Sequence, residues 1–122
     1  MKDSDFQIRF FEELIKKKPD FAEALAALGD LYTKQGWHEK GLKVDQKLAL
    51  LKPEDPIVLY NLACSYSLVN NIDQAFETIQ NAVDCGYDNL EHLTMDRDLI
   101  NLRGDQRFQR YFENIKKEKT FN

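Results

Sequence analysis

One stretch of the chain is repeated 34 residues later in a closely related form. Residues 16–32 read KKKPDFAEALAALGDLY, and residues 50–66 read LLKPEDPIVLYNLACSY. A period of this length is typical of a supersecondary unit that buries its apolar face only by stacking on a neighbouring unit. At this offset the paired positions are Pro19 and Pro53, Leu25 and Leu59, Leu28 and Leu62, Gly29 and Ala63, Tyr32 and Tyr66, and Gly41 and Ala75.

Each repeated unit has the pattern of two helices joined by a tight turn. Leu25, Leu28 and Tyr32 recur at helical spacing, and Gly36 interrupts the first unit midway, as the pair Asn70 and Asn71 interrupts the second. Small residues at the paired positions above allow the two backbones of a hairpin to approach closely. The predicted helix starts are Asp20 with Glu23, Asp55 followed by Pro56, Asn71 with Gln74, Asp88 with Glu91, and Asp105, the last opening a helix with Phe108, Phe112 and Ile115 inward.

The segments LAALGDLY (25–32), LYNLACSY (59–66) and AFETIQNA (75–82), with prolines at the 34-residue period, resemble the tetratricopeptide repeat (TPR) family. The first unit departs from the family pattern in its second helix, at Gly41, Asp45 and Leu48. The string DRDLINLRGDQRF (96–108) resembles the degenerate segment that ends many short bacterial TPR arrays.

The resemblance implies an all-α fold, a short right-handed α-solenoid of TPR-like helix hairpins with about six to eight helices. We expect a single domain over residues 1–122. Its parts are an N-terminal helix of a partial repeat (5–18), repeat 1 (22–55), repeat 2 (56–89) and a degenerate capping segment with a C-terminal helix (90–122).

Charge and hydropathy disfavour several classes of partner. The formal net charge of −4 argues against a nucleic-acid binder. No apolar run approaches the roughly 20 residues that a membrane span requires, and the N-terminus has no signal-peptide pattern, so we expect a cytoplasmic protein.

Residues 54–96 carry eight acidic residues and no Lys or Arg, whereas residues 97–122 carry seven basic and four acidic ones. A basic partner, or the basic tail of the chain itself, would suit the acidic middle. The alternative is that these charges are merely solvated.

Local spacing indicates no catalytic or metal site. His38 and His92 lie in no His-x-x-x-His or Glu-x-x-His pattern. Cys64 and Cys85 form no CxxC pair, and Cys64 suits a packed helix as a small apolar residue. No glycine-rich phosphate loop occurs. We therefore expect no enzyme, no catalytic residue, no metal and no cofactor.

Binding of a protein or peptide is the use that the resemblance implies. In TPR stacks the first helix of each hairpin lines a concave groove. The residues off the Leu-Leu-Tyr stripe of these helices are the predicted contacts, namely Glu23, Asp30, Ile57, Tyr60 and Asn61. A clamp for acidic C-termini, as in chaperone-binding TPR proteins, is disfavoured because Asp30 and Glu91 would repel a carboxylate. A basic or neutral peptide suits these charges better.

The N-terminal helix supports an alternative function. Phe6 and Phe10, with neighbouring apolar residues, spread over a wider arc of the helical wheel than one packed face requires. Such a surface suits a homodimer, which would make the chain a self-associating assembly module. The other interpretation is that these rings cap the end of the stack.

Overall fold

A computed structural model describes the backbone of residues 3–121 and the side chains of residues 3–119. No strand occurs in this part of the chain, so the all-α prediction is confirmed. From α1 to α5 each helix packs against the next. The helices are α1 (Asp3–Lys17), α2 (Ala22–Lys34), α3 (His38–Leu51), α4 (Pro56–Leu68), α5 (Ile72–Asp84), α6 (Leu90–Met95), α7 (Ile100–Arg103) and α8 (Gln106–Phe121), with a 3₁₀ turn at Arg97–Leu99 between α6 and α7.

The turns inside the two hairpins have the same geometry, as the repeat predicts. Gly36 follows α2 with φ of 82°, and Asn70, 34 residues later, follows α4 with φ of 62°. In both turns the amide of the next residue returns to the last helical turn, from Trp37 to Tyr32 O and from Asn71 to Tyr66 O, each at 2.9 Å. This left-handed C-terminal cap ends each helix and reverses the chain.

Three of the five predicted helix starts are confirmed. The Asp55 carboxylate accepts bonds from the Ile57 and Val58 amides, the Asn71 side chain accepts one from Gln74, and Asp105 accepts one from Arg107 at 2.8 Å. Each acceptor satisfies an amide that has no partner within its helix.

The other two predicted starts are wrong. Helix α2 begins after Phe21, whose side chain makes no capping bond, so Asp20 lies one residue too early to cap it. Helix α6 begins after Asn89, which accepts a bond from the His92 amide, so Asn89 and not Asp88 is the cap.

Small residues lie where the helices approach one another most closely, as predicted. Ala63 and Ala75 are completely buried between α4 and α5. A Cβ atom on Gly41 would lie 3.1 Å from Thr33 Oγ1, which shows how near α2 runs to α3. The backbones of the two helices in each hairpin therefore approach each other closely, which larger side chains at these positions would prevent.

The segment from α6 to α8 completes the core of the second hairpin. Leu93, Leu99 and Leu102 are completely buried and join the same cluster as Leu59 and Ile79. In α8, Phe108 and Ile115 are buried and Phe112 is half-buried, so the predicted inward face is confirmed. The basic tail contacts the acidic middle through an exposed ion pair of 2.8 Å between Arg107 and Asp73.

Within residues 3–121, no helix combines the length and apolar character that crossing a bilayer would require. The predicted boundaries between the partial repeat, the two repeats and the capping segment stay a prediction. The helix pairs α2 and α3, and α4 and α5, do lie inside the ranges 22–55 and 56–89.

Candidate functional site: an acidic cavity beside helix α4

A cavity of about 160 Å³ lies where α2, α3 and α4 meet the segment that follows α5. Four carboxylates line it, and no lysine or arginine does so among the described residues. The cavity therefore concentrates negative charge against low-dielectric walls. Its lining is Ala26, Gly29, Asp30, Thr33, Asp45, Leu48, Tyr60, Asn61, Cys64, Ser65, Leu68, His92, Asp96 and Asp98.

Asp45 of α3 is the most buried of the four carboxylates, with 8% of its surface exposed. Its Oδ2 accepts a hydrogen bond of 2.5 Å from the Ser65 hydroxyl of α4. Burial raises the pKa of Asp45 to about 6, although the hydrogen bond from Ser65 acts to lower it. Within residues 3–119, Asp45 forms no ion pair with a lysine or arginine.

Gly29 makes room for the Asp45 carboxylate. A Cβ atom on Gly29 would lie 2.7 Å from Asp45 Oδ1, which is closer than van der Waals contact permits. The glycine that the repeat pattern supplies for close helix packing thus also accommodates an acidic side chain in α3.

Asp96 also lines the acidic cavity. Its Oδ2 accepts a hydrogen bond of 2.5 Å from the Tyr60 hydroxyl, and His92 Nε2 lies 3.2 Å from the same oxygen. Its Oδ1 accepts the Asp98 amide at 2.9 Å, which starts the 3₁₀ turn. These bonds fix the carboxylate of Asp96 at the edge of the cavity.

Cys64 and Asp98 complete the polar lining. The Cys64 thiol lies 3.8 Å from Asp96 Oδ2, and burial raises the pKa of that thiol. Burial also raises the pKa of Asp98, as does the charge of Asp96, while His38 lowers it. Ligand atoms of Cys64, Asp96 and Asp98 lie within 4.8 Å of one another, which is a donor set that can hold a cation.

The sequence alone does not reveal this cluster, because metal-ligand motifs have short spacings, whereas Cys64 and Asp96 lie 32 residues apart. The one local signal was His92 followed by Asp96, a spacing of four residues that places both side chains on one face of a helical turn. The folded chain supplies the remaining members from other helices.

A second cavity, of about 350 Å³, adjoins the first. The two share Tyr60, Asn61 and His92 as a common wall. Ile57, which is 57% exposed, and Tyr87 give the second cavity its apolar surface. An acidic and an apolar cavity therefore lie side by side along α4.

The structure brings four of the five predicted groove residues to these cavities. Asp30 and Asn61 line the acidic cavity, and Ile57 and Asn61 line the apolar one. Glu23 is exposed but lines neither. Asp30 also forms an exposed ion pair of 2.9 Å with Lys34, one helical turn away.

Tyr60, one of the predicted contact residues, is buried in the folded chain. Only 5% of its surface is exposed, because the ring stacks on Tyr87 at 4.4 Å between centroids and its hydroxyl is bonded to Asp96. Tyr60 forms the wall between the two cavities and leaves little open area for contact.

The two phenylalanines proposed for self-association lie on the outer face of α1. Phe6 is 66% exposed and Phe10 is 52% exposed, while Ile8 of the same helix is buried against Leu28 and Tyr32. Neither phenylalanine lines the acidic or the apolar cavity.

Comparison with known proteins gives one weak and partial likeness. No family model matches the chain. The chain is 27% identical over 100 residues to a chloroplastic protein of Arabidopsis thaliana, a match that covers 80% of the chain. It spans only 28% of the length of that protein.

Proposed function

We propose that the two helix hairpins and the segments on either side of them form a short TPR-like solenoid. Two features support this arrangement. The hairpins follow each other with a 34-residue period and the same left-handed turn at Gly36 and Asn70. The buried apolar face of the second hairpin is closed by α6 to α8, as the end of a stack of repeats requires.

We propose that the protein is a non-catalytic adaptor or scaffold, which binds a basic or neutral peptide segment in a concave groove along α2 and α4. The observation that carries this proposal is the acidic cavity beside α4, where carboxylates from α2, α3 and the segment after α6 converge and no lysine or arginine of the described residues lines it. A positively charged segment would find there the complementary charge. The cytoplasm remains the predicted location.

Selection from a random peptide library displayed on phage tests this function. The purified chain is the bait, and two double variants with the same chemical changes are compared. Asp30→Lys with Asn61→Ala alters the lining of both cavities, whereas Asp84→Lys with Asn81→Ala alters exposed positions of α5 outside them.

We expect selected peptides to bind the wild type and the α5 variant, and to lose at least tenfold in affinity for the groove variant. Helical content measured by circular dichroism establishes that each variant is folded. If no peptide is enriched, or if both variants bind equally well, the adaptor function is wrong.

Self-association through α1 is a second candidate function. The large exposed fractions of Phe6 and Phe10 favour it, since an apolar pair on an end helix suits contact with a second copy. A homodimer of this kind would make the chain an assembly module.

A further inference from the structure

We propose that the acidic cavity takes one lysine or arginine side chain of the bound segment, and that the adjoining apolar cavity takes a nearby apolar side chain of the same segment. This inference rests on the proposed peptide-binding function and specifies which residues the peptide must carry.

The size of the acidic cavity limits what can enter it. Cavities that hold drug-sized ligands have volumes of about 300–1,000 Å³, and this one has about 160 Å³. A single side chain is therefore the largest guest that fits, and the remainder of the partner must lie outside along α4.

The charge of the lining selects the sign of that side chain. Asp45 is more than nine-tenths buried, faces the cavity and has only a neutral hydrogen-bond partner, Ser65, among the described residues. Asp98 is half-buried and has no ion pair there with a lysine or arginine, and the charge that lowers its pKa comes from His38. A buried carboxylate without a counter-charge costs free energy, and an incoming ammonium or guanidinium group would offset that cost.

The apolar part of the lining suits a basic side chain better than a small cation. Ala26, Leu48 and Leu68 line the same cavity as the carboxylates. Lysine and arginine bury a methylene stem against apolar surface while their charged end meets polar groups. A hydrated metal ion would leave these three walls without a partner.

The apolar cavity extends the recognition to a second residue. Because it shares Tyr60, Asn61 and His92 with the acidic cavity, a segment that fills one passes directly over the other. Ile57 and Tyr87 offer apolar contact at that point. The preferred partner is a segment in which a basic residue stands close to an apolar one.

A pair of small probes tests the first half of this proposal. Nα-acetyl-lysine methylamide and its uncharged analogue Nα-acetyl-norleucine methylamide have stems of similar shape and differ in the ammonium group. Each is titrated into the ¹⁵N-labelled full chain while amide chemical shifts are followed. The same titrations are repeated with Asp98→Asn, and with Asp84→Asn as an exposed control that lines neither cavity.

We expect the lysine probe to change the amide chemical shifts of Asp45, Cys64 and Asp98, and the norleucine probe to leave these chemical shifts unchanged. Asp98→Asn should weaken the lysine response about tenfold and Asp84→Asn should not. Equal responses to both probes, no response to either, or an effect of Asp84→Asn as large as that of Asp98→Asn would overturn the proposal. Saturation of the same amides by Zn²⁺ alone would assign the cavity to a metal ion instead.

The peptides selected on phage test both residues together. We expect the groove-dependent peptides to contain a lysine or arginine close to an apolar residue, and replacement of that basic residue by norleucine to weaken binding at least tenfold. Groove-dependent peptides without a basic residue would overturn this inference and leave the adaptor function standing. An empty selection would instead contradict the adaptor function itself.

Discussion

The hydroxyl of Tyr60 in α4 donates a hydrogen bond of 2.5 Å to Oδ2 of Asp96, which lies 36 residues further along the chain. Two more bonds join the same regions, since Ser67 accepts the Asn101 side chain at its carbonyl oxygen and the Leu102 amide at its hydroxyl. Residues 90–103 are thus held to α4 by polar contacts as well as by buried leucines. One consequence is that a wall of the acidic cavity depends on this attachment.

Replacing Tyr60 with phenylalanine should measure the strength of that attachment. Because the bond has a charged acceptor and is partly buried, we expect Tyr60→Phe to lower the free energy of unfolding by about 1–3 kcal/mol. Urea denaturation followed by circular dichroism measures the change. The control is Tyr66→Phe, which loses an exposed bond of 3.2 Å from Gln46 and should cost less than about 0.5 kcal/mol. Equal losses of stability in the two variants would show that the bond to Asp96 contributes no more to the free energy of unfolding than the exposed bond of Tyr66.

The helices were predictable from the sequence, and the reason is local. Apolar residues at helical spacing set the faces of α2 and α4, while Gly36 and Asn70 are residue types that accept the left-handed turn. The caps were less predictable. Asn89 follows Asp88, which caps a helix equally well, whereas α2 begins after Phe21, which has no capping side chain. Tertiary packing decides by one residue where such a helix begins.

The candidate site was only partly predictable, because its members come from different helices. Asp30 and Asn61 were found from the helical wheel, which depends on α2 and α4 alone. The burial of Tyr60 could not be found that way, since Tyr87 and Asp96 cover it from later segments. The sequence of α3 alone gives no sign that Asp45 is buried. Its side chain lines the cavity only because α2 and α4 pack around it.

Replacing Asp45 with asparagine should reveal a pH-dependent cost of its burial. The folded pKa of about 6 lies above the ordinary value of 3.8. The folded state therefore binds more protons between these values, and stability falls as pH rises from about 4 to about 6. At pH 7 we expect Asp45→Asn to raise the free energy of unfolding by about 1–3 kcal/mol, and at pH 3.5 to leave it nearly unchanged.

Urea unfolding at the two pH values checks this prediction. Asp105 serves as the opposite case, because the Arg107 side chain lowers its pKa. Asp105→Asn should therefore lose stability at pH 7 relative to pH 3.5. If Asp45→Asn gave the same difference from wild type at both pH values, the buried carboxylate would not be the titrating group.

Adding a methyl group at Gly29 should disturb the Asp45 carboxylate. An alanine Cβ would lie 2.7 Å from Asp45 Oδ1, so we expect Gly29→Ala to lower the free energy of unfolding by about 1–3 kcal/mol, despite the better helix propensity of alanine. Gly104→Ala is the control, because its backbone is in the ordinary helical region and its nearest neighbour is 3.6 Å away.

A double-mutant cycle locates the source of the strain in Gly29→Ala. In an Asp45→Ala background the same substitution should cost little, since the carboxylate that it approaches is gone. Thermal or urea unfolding of the four proteins gives the coupling energy. An unchanged cost in that background would mean that the strain does not arise from the Asp45 carboxylate.

Serine at both Phe6 and Phe10 separates the adaptor from the assembly module. On the adaptor proposal we expect the wild type to sediment as a monomer, and the double variant to keep both its mass and, within about 1 kcal/mol, its stability, because both rings are more than half exposed. Ile8→Ser is the comparison from the buried face of α1 and should cost about 2–4 kcal/mol. A wild-type dimer that the double variant dissociates would contradict the monomeric adaptor and favour assembly through α1, since only contact between copies gives these exposed rings an energetic role.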